Sequence, residues 1–294
     1  MLHWRLLLSG LFIGVLALFF WFEINTGQPG ILLFPLALLI TLLAAGEIIQ
    51  LLTFPGGRPL NWTVYAGSLL VVSATGIPHF WPGYPLDCPF GDLGWPFLAF
   101  VLAITLAIVG ELLRFSPGPA STLNLSLTIY GIFTIGILMS FIVQLRFVGG
   151  PEWQGLPLIA MLIVVKAGDI GAYTIGRLIG KHKLAPRLSP GKTLEGVGGG
   201  ILFAIAGSWF AFSVLPLWIS SSRPSLPWWW IVGYGLLVGG TGILGDLSES
   251  MLKRCADRKD SSRWMPGFGG ILDLLDSPLL AAPMAYLLWV GCRP

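Results

Sequence analysis

The sequence predicts an all-α polytopic membrane protein of about nine transmembrane helices with a cytoplasmic N-terminus, and three observations predict it. Hydrophobic residues make up 55% of the 294 residues and charged residues only 11%, with a mean hydropathy of +0.81, a balance that belongs to a membrane-embedded chain. Apolar runs recur at roughly the 20-residue length that a helix needs to cross a hydrocarbon core about 30 Å thick. With no water in that core, only helices or closed barrels satisfy the backbone, and runs this long indicate helices. Basic residues, finally, fall almost entirely on one side of the runs.

In chain order, the spans are expected near 6–22, 31–54, 63–81, 95–113, 126–145, 157–179, 199–219, 227–247 and 271–291. The first follows Arg5 as a signal peptide would, but no small-x-small cleavage site follows Phe19-Phe20-Trp21-Phe22, so it reads as a retained helix. Nine spans place Arg5, Arg58, Arg114, Arg177, Lys181, Lys183, Arg187, Lys192, Lys253, Arg254, Arg258, Lys259 and Arg263 on one side. The other side holds only Arg146, Arg223 and Arg293. Basic loops stay cytoplasmic, so the N-terminus is expected inside and the C-terminus outside. Of the three cysteines, Cys88 and Cys292 share the outer side, where a disulfide between them is open.

No repeat, low-complexity tract or separately folding soluble domain is visible. The organisation read from the chain is an N-terminal set of about five spans over 1–150 and a polar C-terminal region over 151–294, with cytoplasmic loops at 180–198 and 248–270. In the first part, Glu47 and Glu111 lie near span ends and read as interfacial caps rather than as chemistry. The chemistry gathers later. Lys166 and Asp169 sit inside an apolar span, and with Tyr173 they follow i+3 and i+4 steps along one helical face. A charge left facing lipid costs roughly 2.5–3.5 kcal/mol on insertion scales, so the two either neutralise each other or line a wet interior. The loop that follows, with Ser189, Gly191, Lys192 and Thr193, has the composition of a phosphate cradle without the spacing of a Walker A motif.

Farther on, Asp246, Glu249, Ser250 and Lys253 form one stripe at i, i+3, i+4 and i+7 running out of the membrane. Asp273 and Asp276 stand one turn apart at the start of the last span. Carboxylates aimed into one pocket repel unless a cation lies between them, and oxygen-only ligands select a hard metal, foremost Mg2+, with a second cation left open. The alternative is that Asp273 and Asp276 cap a helix N-terminus, where the backbone dipole favours negative charge.

These residues resemble the phosphatidate cytidylyltransferases, or CDP-diglyceride synthases, of bacterial membranes. The C-terminal signature of that family is met at Ser250, Lys253, Arg254, Lys259, Asp260, Pro266, Gly269, Gly270, Asp273 and Asp276. Upstream, Asp169, Ala172, Tyr173, Gly176, Arg177, Gly180, Ser189, Pro190, Lys192, Thr193, Glu195 and Gly196 also match, so the likeness covers roughly 166–283. Phe268 replaces a histidine of the signature, Leu274 an arginine, and Met265 a different apolar residue.

The resemblance implies conversion of CTP and phosphatidate to CDP-diacylglycerol and pyrophosphate. It implies a multi-pass protein of the bacterial inner membrane whose active site faces the cytoplasm, with CTP, phosphatidate and the bilayer as partners, no nucleic acid, and a homodimer left open. Asp246, Lys253, Asp273 and Asp276 would then be catalytic, the three aspartates also holding the metal. Asp169, Tyr173, Arg177, Ser189, Lys192, Thr193, Glu195, Ser250, Arg254, Lys259 and Asp260 would bind substrate. A lipid phosphate is already anionic and needs no strong base, so an aromatic residue at 268 is compatible with turnover. Two other readings are a CTP-dependent enzyme acting on an isoprenoid lipid and a transporter or channel. Transport sites lie near the bilayer midplane with access from both sides, whereas the polar residues here gather at one face.

Overall fold

The structure, a computed structural model, describes residues 2–85, 87–149, 155–219, 226–262, 264, 265 and 269–291, with side chains from residue 14 onward except at 218 and 219. Arg263, Phe268 and Cys292, and with the last the Cys88–Cys292 pairing left open above, lie outside the described residues.

Helices dominate: α1 (Leu2–Thr26), α2 (Leu33–Leu52), α3 (Asn61–Ala74), the single turn α4 (Ile77–Phe80), α5 (Gly91–Leu113), α6 (Ala120–Ile132) and α7 (Leu138–Phe147) come first. After α8 (Leu156–Ile179) come two short strands, β1 (Lys183–Ala185) and β2 (Ser189–Thr193). The chain closes with α9 (Leu194–Trp209), α10 (Pro216–Ile219), α11 (Trp228–Cys255) and α12 (Leu272–Gly291). Every expected span is helical at its centre. Among the described residues, seven helical stretches are long and apolar enough to cross a membrane, which makes this a multi-pass membrane protein: Leu33–Leu52, Gly91–Leu113, Ala120–Phe147, Leu156–Ile179, Leu194–Val214, Trp228–Cys255 and Leu272–Gly291. The third expected span, 63–81, is shorter than anticipated because α3 ends before Gly76 and Pro78, where the chain turns into α4. Two spans contain a π-helical turn, Phe133–Ile137 and Phe210–Val214. The all-α class holds, and the loop between α8 and α9 carries one short hairpin in which β1 and β2 pair antiparallel, Lys183 opposite Thr193 and Ala185 opposite Ser189.

The chain divides into two compact units. One comprises 1–144 and 255–274, the other 145–254 and 275–294. The core of the first unit is made by Val71 and Ala74 of α3, the alanine ladder Ala99, Ala103 and Ala107 of α5, and Ile132 of α6. Alanine at every fourth position lets α3 and α5 approach closely, which is how helices associate where lipid is as apolar as any side chain. The α1–α2 turn is fastened by Glu23, whose buried carboxylate accepts from the backbone N–H groups of Gly30, Leu32 and Leu33 at 2.8–2.9 Å. An acid at the first turn of α2 suits the positive end of the helix dipole.

The second unit relies on glycine. Gly171 of α8 lies against the Phe203 side chain and the Gly199 carbonyl of α9, and Gly168 lies against Gly200 and Ala204. On α11, a Cβ at Gly235 would come within 2.6 Å of the Ile205 Cα, a backbone atom with nowhere to move, whereas one at Gly233 would meet nothing. Gly235→Ala is therefore expected to lower stability by about 1–3 kcal/mol through overpacking, while Gly233→Ala gains helix propensity. Thermal melting of the pair in detergent checks this; equal melting temperatures would show that close approach does not set the seam. Near the start of α11, Phe212 is ringed by Trp230, Tyr234 and Trp289, with centroids 5.1, 5.0 and 5.8 Å away.

Candidate active site

The second unit gathers charge where α8, β2, α11 and α12 converge. On α8, the Lys166 ammonium lies 3.0 Å from Asp169 Oδ2, so the intrahelical pair expected from i+3 spacing forms. It is not sealed off: both side chains keep more than a third of their surface open in the isolated chain. The other Asp169 oxygen accepts from Ser277 Oγ of α12 at 3.3 Å. Next to Ser277, Asp276 is within electrostatic reach of Asp246, Lys166 and Asp169.

What lets Asp246 approach Asp276 is its neighbour. A Cβ at Gly245 would overlap the Asp276 carbonyl oxygen, so the Gly245-Asp246 pair is a close-approach residue followed by the acid that the approach delivers. Across from Asp246 Oδ2, the Lys192 ammonium stands 2.7 Å away. This nitrogen is buried and lacks hydrogen-bond alignment with any acceptor among the described residues, so it is an ion pair by distance with donor capacity unspent. An ammonium in that state is suited to an incoming phosphate oxygen.

The hairpin aims Lys192. Thr193 Oγ1 accepts from Gly196 N at 3.1 Å and caps α9. Glu195 reaches back to accept from Lys181 N at 3.1 Å and His182 N at 3.2 Å, and its other oxygen lies 2.6 Å from His182 Nδ1. Arg254 Nε, at the end of α11, donates to the Leu188 carbonyl at 3.3 Å. Thr193, Glu195 and Arg254 thus hold the loop that presents Lys192. Lower on α11, Lys253 lies 3.2 Å from Glu249, both nearly buried, and Ser250 is half-buried beside them. Tyr173 and Arg177 meet each other, Arg177 Nη1 donating to the tyrosine hydroxyl at 2.8 Å. Ser189 is half-buried in β2, while Lys259 and Asp260 are exposed in the first unit.

Asp273 belongs to that first unit, where its Oδ2 accepts from Ser261 N at 2.8 Å, Ser261 Oγ at 2.6 Å and Gly270 N at 2.9 Å. These donors lie in the loop before α12, so Asp273 ties that loop to the first turn of the helix, while the capping of helix amides weighed for it above is not what these bonds make. Among the described residues, no group of three His, Cys, Asp or Glu side chains is close enough to hold a metal ion.

Comparison with known proteins bears on the chain as a whole. The Cytidylyltransferase family pattern matches residues 5–291. The chain belongs to this family. A Synechocystis phosphatidate cytidylyltransferase is 33% identical over 287 residues, 87% of each chain. The protein of that name from Brucella suis is 33% identical over 264 residues, 85% of this chain and 91% of its own. The one from Pseudomonas aeruginosa is 40% identical over 153 residues, 48% of this chain and 54% of its own. As a cytidylyltransferase-family protein the chain is a nucleotidyltransferase, and the match reaches through the N-terminal helices, beyond the 166–283 region where motifs were legible.

In those helices Glu47, expected to act as an interfacial cap, is 4% exposed. Its two oxygens accept from Ser262 Oγ, Trp264 Nε1, Ile271 N and Leu272 N at 2.8–3.0 Å, and lie 2.8 Å from Ser261 Oγ, a hydroxyl whose one proton they share with Asp273. The one sequence signal was a lone acid in an apolar run.

Proposed function

We propose that this chain is a phosphatidate cytidylyltransferase, transferring CMP from CTP to phosphatidate to give CDP-diacylglycerol and pyrophosphate in phospholipid biosynthesis. The observation that carries the reading is the Lys192–Asp246 pair, set beside Asp276 and Asp169 on elements that the family's motifs mark. A phosphate oxygen of the lipid attacks the α-phosphorus of CTP. The bond from that phosphorus to the α,β-bridging oxygen breaks, and pyrophosphate leaves with the electron pair. Nucleophile and leaving group are both anions, so the protein's work is to hold two polyanions in line and neutralise them.

Lys192, with spare donor capacity, would take a triphosphate oxygen, Lys253 and Arg254 of the same unit would add positive field, and the resemblance adds Lys259. Carboxylate oxygens suit Mg2+, which keeps one or two of them and fills the rest of its shell with phosphate oxygens and water. Asp246 and Asp276 would supply these, and the resemblance adds Asp273. A ligand set completed by the nucleotide would need no three-residue cluster standing ready, and none stands among the described residues. When bound, the cation would offset charge building on the triphosphate. Tyr173 and Arg177, exposed at the end of α8, suit the lipid phosphate. In nanodiscs containing phosphatidate, labelled CTP and Mg2+ are expected to give lipid-linked CMP and an equal amount of pyrophosphate. Ion or solute flux with no CTP turnover would overturn the reading in favour of transport.

The same reading places the protein in the bacterial inner membrane as nine spans, with the N-terminus and the site on the cytoplasmic side, where CTP is supplied. It treats 151–294 as the catalytic region and 1–150 as its support. A cysteine at position 183, in a chain with Cys88, Cys255 and Cys292 replaced, is expected to react with an impermeant maleimide only from the cytoplasmic face. Labelling from outside alone would reverse the topology and remove CTP from reach.

A further inference from the structure

We propose that Glu47 of α2 is a positioning residue for the cation-binding end of α12, acting through the 261–272 loop. All five donors to its carboxylate come from that one stretch, and two of them, Ile271 N and Leu272 N, are the unsatisfied amides at the start of α12. Among the described residues no Lys or Arg pairs with Glu47. Among the described residues, amide, hydroxyl and indole donors face its charge, helped by the helix dipole.

The seat is specific. A Cβ at position 270 would overlap both Glu47 oxygens and Ser261 Oγ, so only glycine lets the loop close over this carboxylate. At Gly269 the backbone has φ +89°, in the region that favours glycine. The Gly269-Gly270 pair of the motif thus has a physical partner 223 residues earlier in the chain, 270 minus 47.

The loop connects Glu47 to Asp273. Ser261 Oγ lies 2.8 Å from Glu47 Oε2 and 2.6 Å from Asp273 Oδ2. A hydroxyl has one proton, so it satisfies one carboxylate at a time. Asp273 Oδ2 also takes the Ser261 and Gly270 amides, so the orientation of Asp273 is set by the backbone that Glu47 holds. If Asp273 gives up the hydroxyl on meeting a cation, the proton has a second acceptor in Glu47, and no buried donor is stranded. The functional half of this inference rests on the metal role proposed for Asp273; the structural half does not.

Glu47→Gln keeps the shape but turns an NH2 group toward N–H donors. Hydrogen–deuterium exchange of the full-length variant in nanodiscs, without Mg2+ or substrate, is expected to quicken about tenfold or more in peptides covering 261–273 and to stay unchanged in α8 and α9. In turnover assays the Mg2+ needed for half-maximal rate should rise about tenfold, the scale of losing a residue that orients a metal ligand, with the rate largely recovered at saturating Mg2+. Glu47→Asp should recover part of both effects. Trp264→Phe removes a single donor and should quicken the same amides more weakly, which keeps the test informative if Glu47→Gln fails to fold. Unchanged loop exchange in these variants would overturn the positioning role whether or not the wild type turns over CTP. A loosened loop with unchanged Mg2+ dependence would overturn its link to the cation. Absence of turnover in the wild type would instead sink the cytidylyltransferase reading and leave the exchange result standing.

Discussion

Asp246→Asn is expected to lower turnover at least about 10³-fold, roughly 4 kcal/mol of transition-state stabilisation, while the protein remains folded. Asparagine has the same shape, so Gly245 still admits α12 and the packing of α11 is undisturbed. What is lost is the charge opposite Lys192, 2.7 Å away, and one of the three acids proposed to carry Mg2+. Asp276 and Asp273 alone would leave the cation one carboxylate short in a site proposed to hold a triphosphate. Steady-state rates across a Mg2+ series, with melting as the folding control, measure this. Asp276→Asn should behave alike, and Asp273→Asn should also abolish turnover, since it both loses the proposed ligand and disturbs the amides gathered on Oδ2. Near-normal rates and Mg2+ dependence in Asp246→Asn would move the metal site elsewhere.

The second large effect belongs to Lys192. Replacing it with methionine keeps the stem and removes the ammonium, and turnover is expected to fall about 10²-fold, the scale of losing one preorganised electrostatic contact in a catalytic site. The loss should appear in KM for CTP as well as in kcat, because the unspent donors of this buried nitrogen are what would meet the triphosphate. Lys192→Arg keeps the charge but spreads it over a wider planar group, and should retain activity within about tenfold of wild type. If Lys192→Met binds and turns over CTP as the wild type does, the ammonium merely neutralises Asp246 and the nucleotide lies elsewhere.

Thr193 and Glu195 were expected to touch substrate, yet their visible work is to cap α9 and clasp the hairpin. Both roles serve Lys192, and the spacing of Lys192, Thr193 and Glu195 reads naturally as one unit. The hairpin itself was not legible. Its strands are three and five residues long, and one contains Pro190 and Gly191, which argue against a strand in any local reading. The pairing exists because Glu195 draws the two arms together from the start of α9. The third span was overestimated for a related reason, since apolarity continues through 63–81 while the backbone breaks at Gly76 and Pro78.

Taken alone, the sequence determined the membrane class, the order of the apolar helices, and the stripes that put Lys166 beside Asp169 and Glu249 beside Lys253. Each of these follows from hydrophobic length or from 3.6-residue periodicity, which act between near neighbours. Only the tertiary structure decided that Lys192 meets Asp246, that Gly245 admits Asp276, and that Glu47 receives Ser261 from 214 residues away. A buried carboxylate in an apolar run announces that it needs partners, because leaving it unsatisfied is costly. Which donors answer depends on which helix ends the packing brings together, and no local pattern in the chain carries that information.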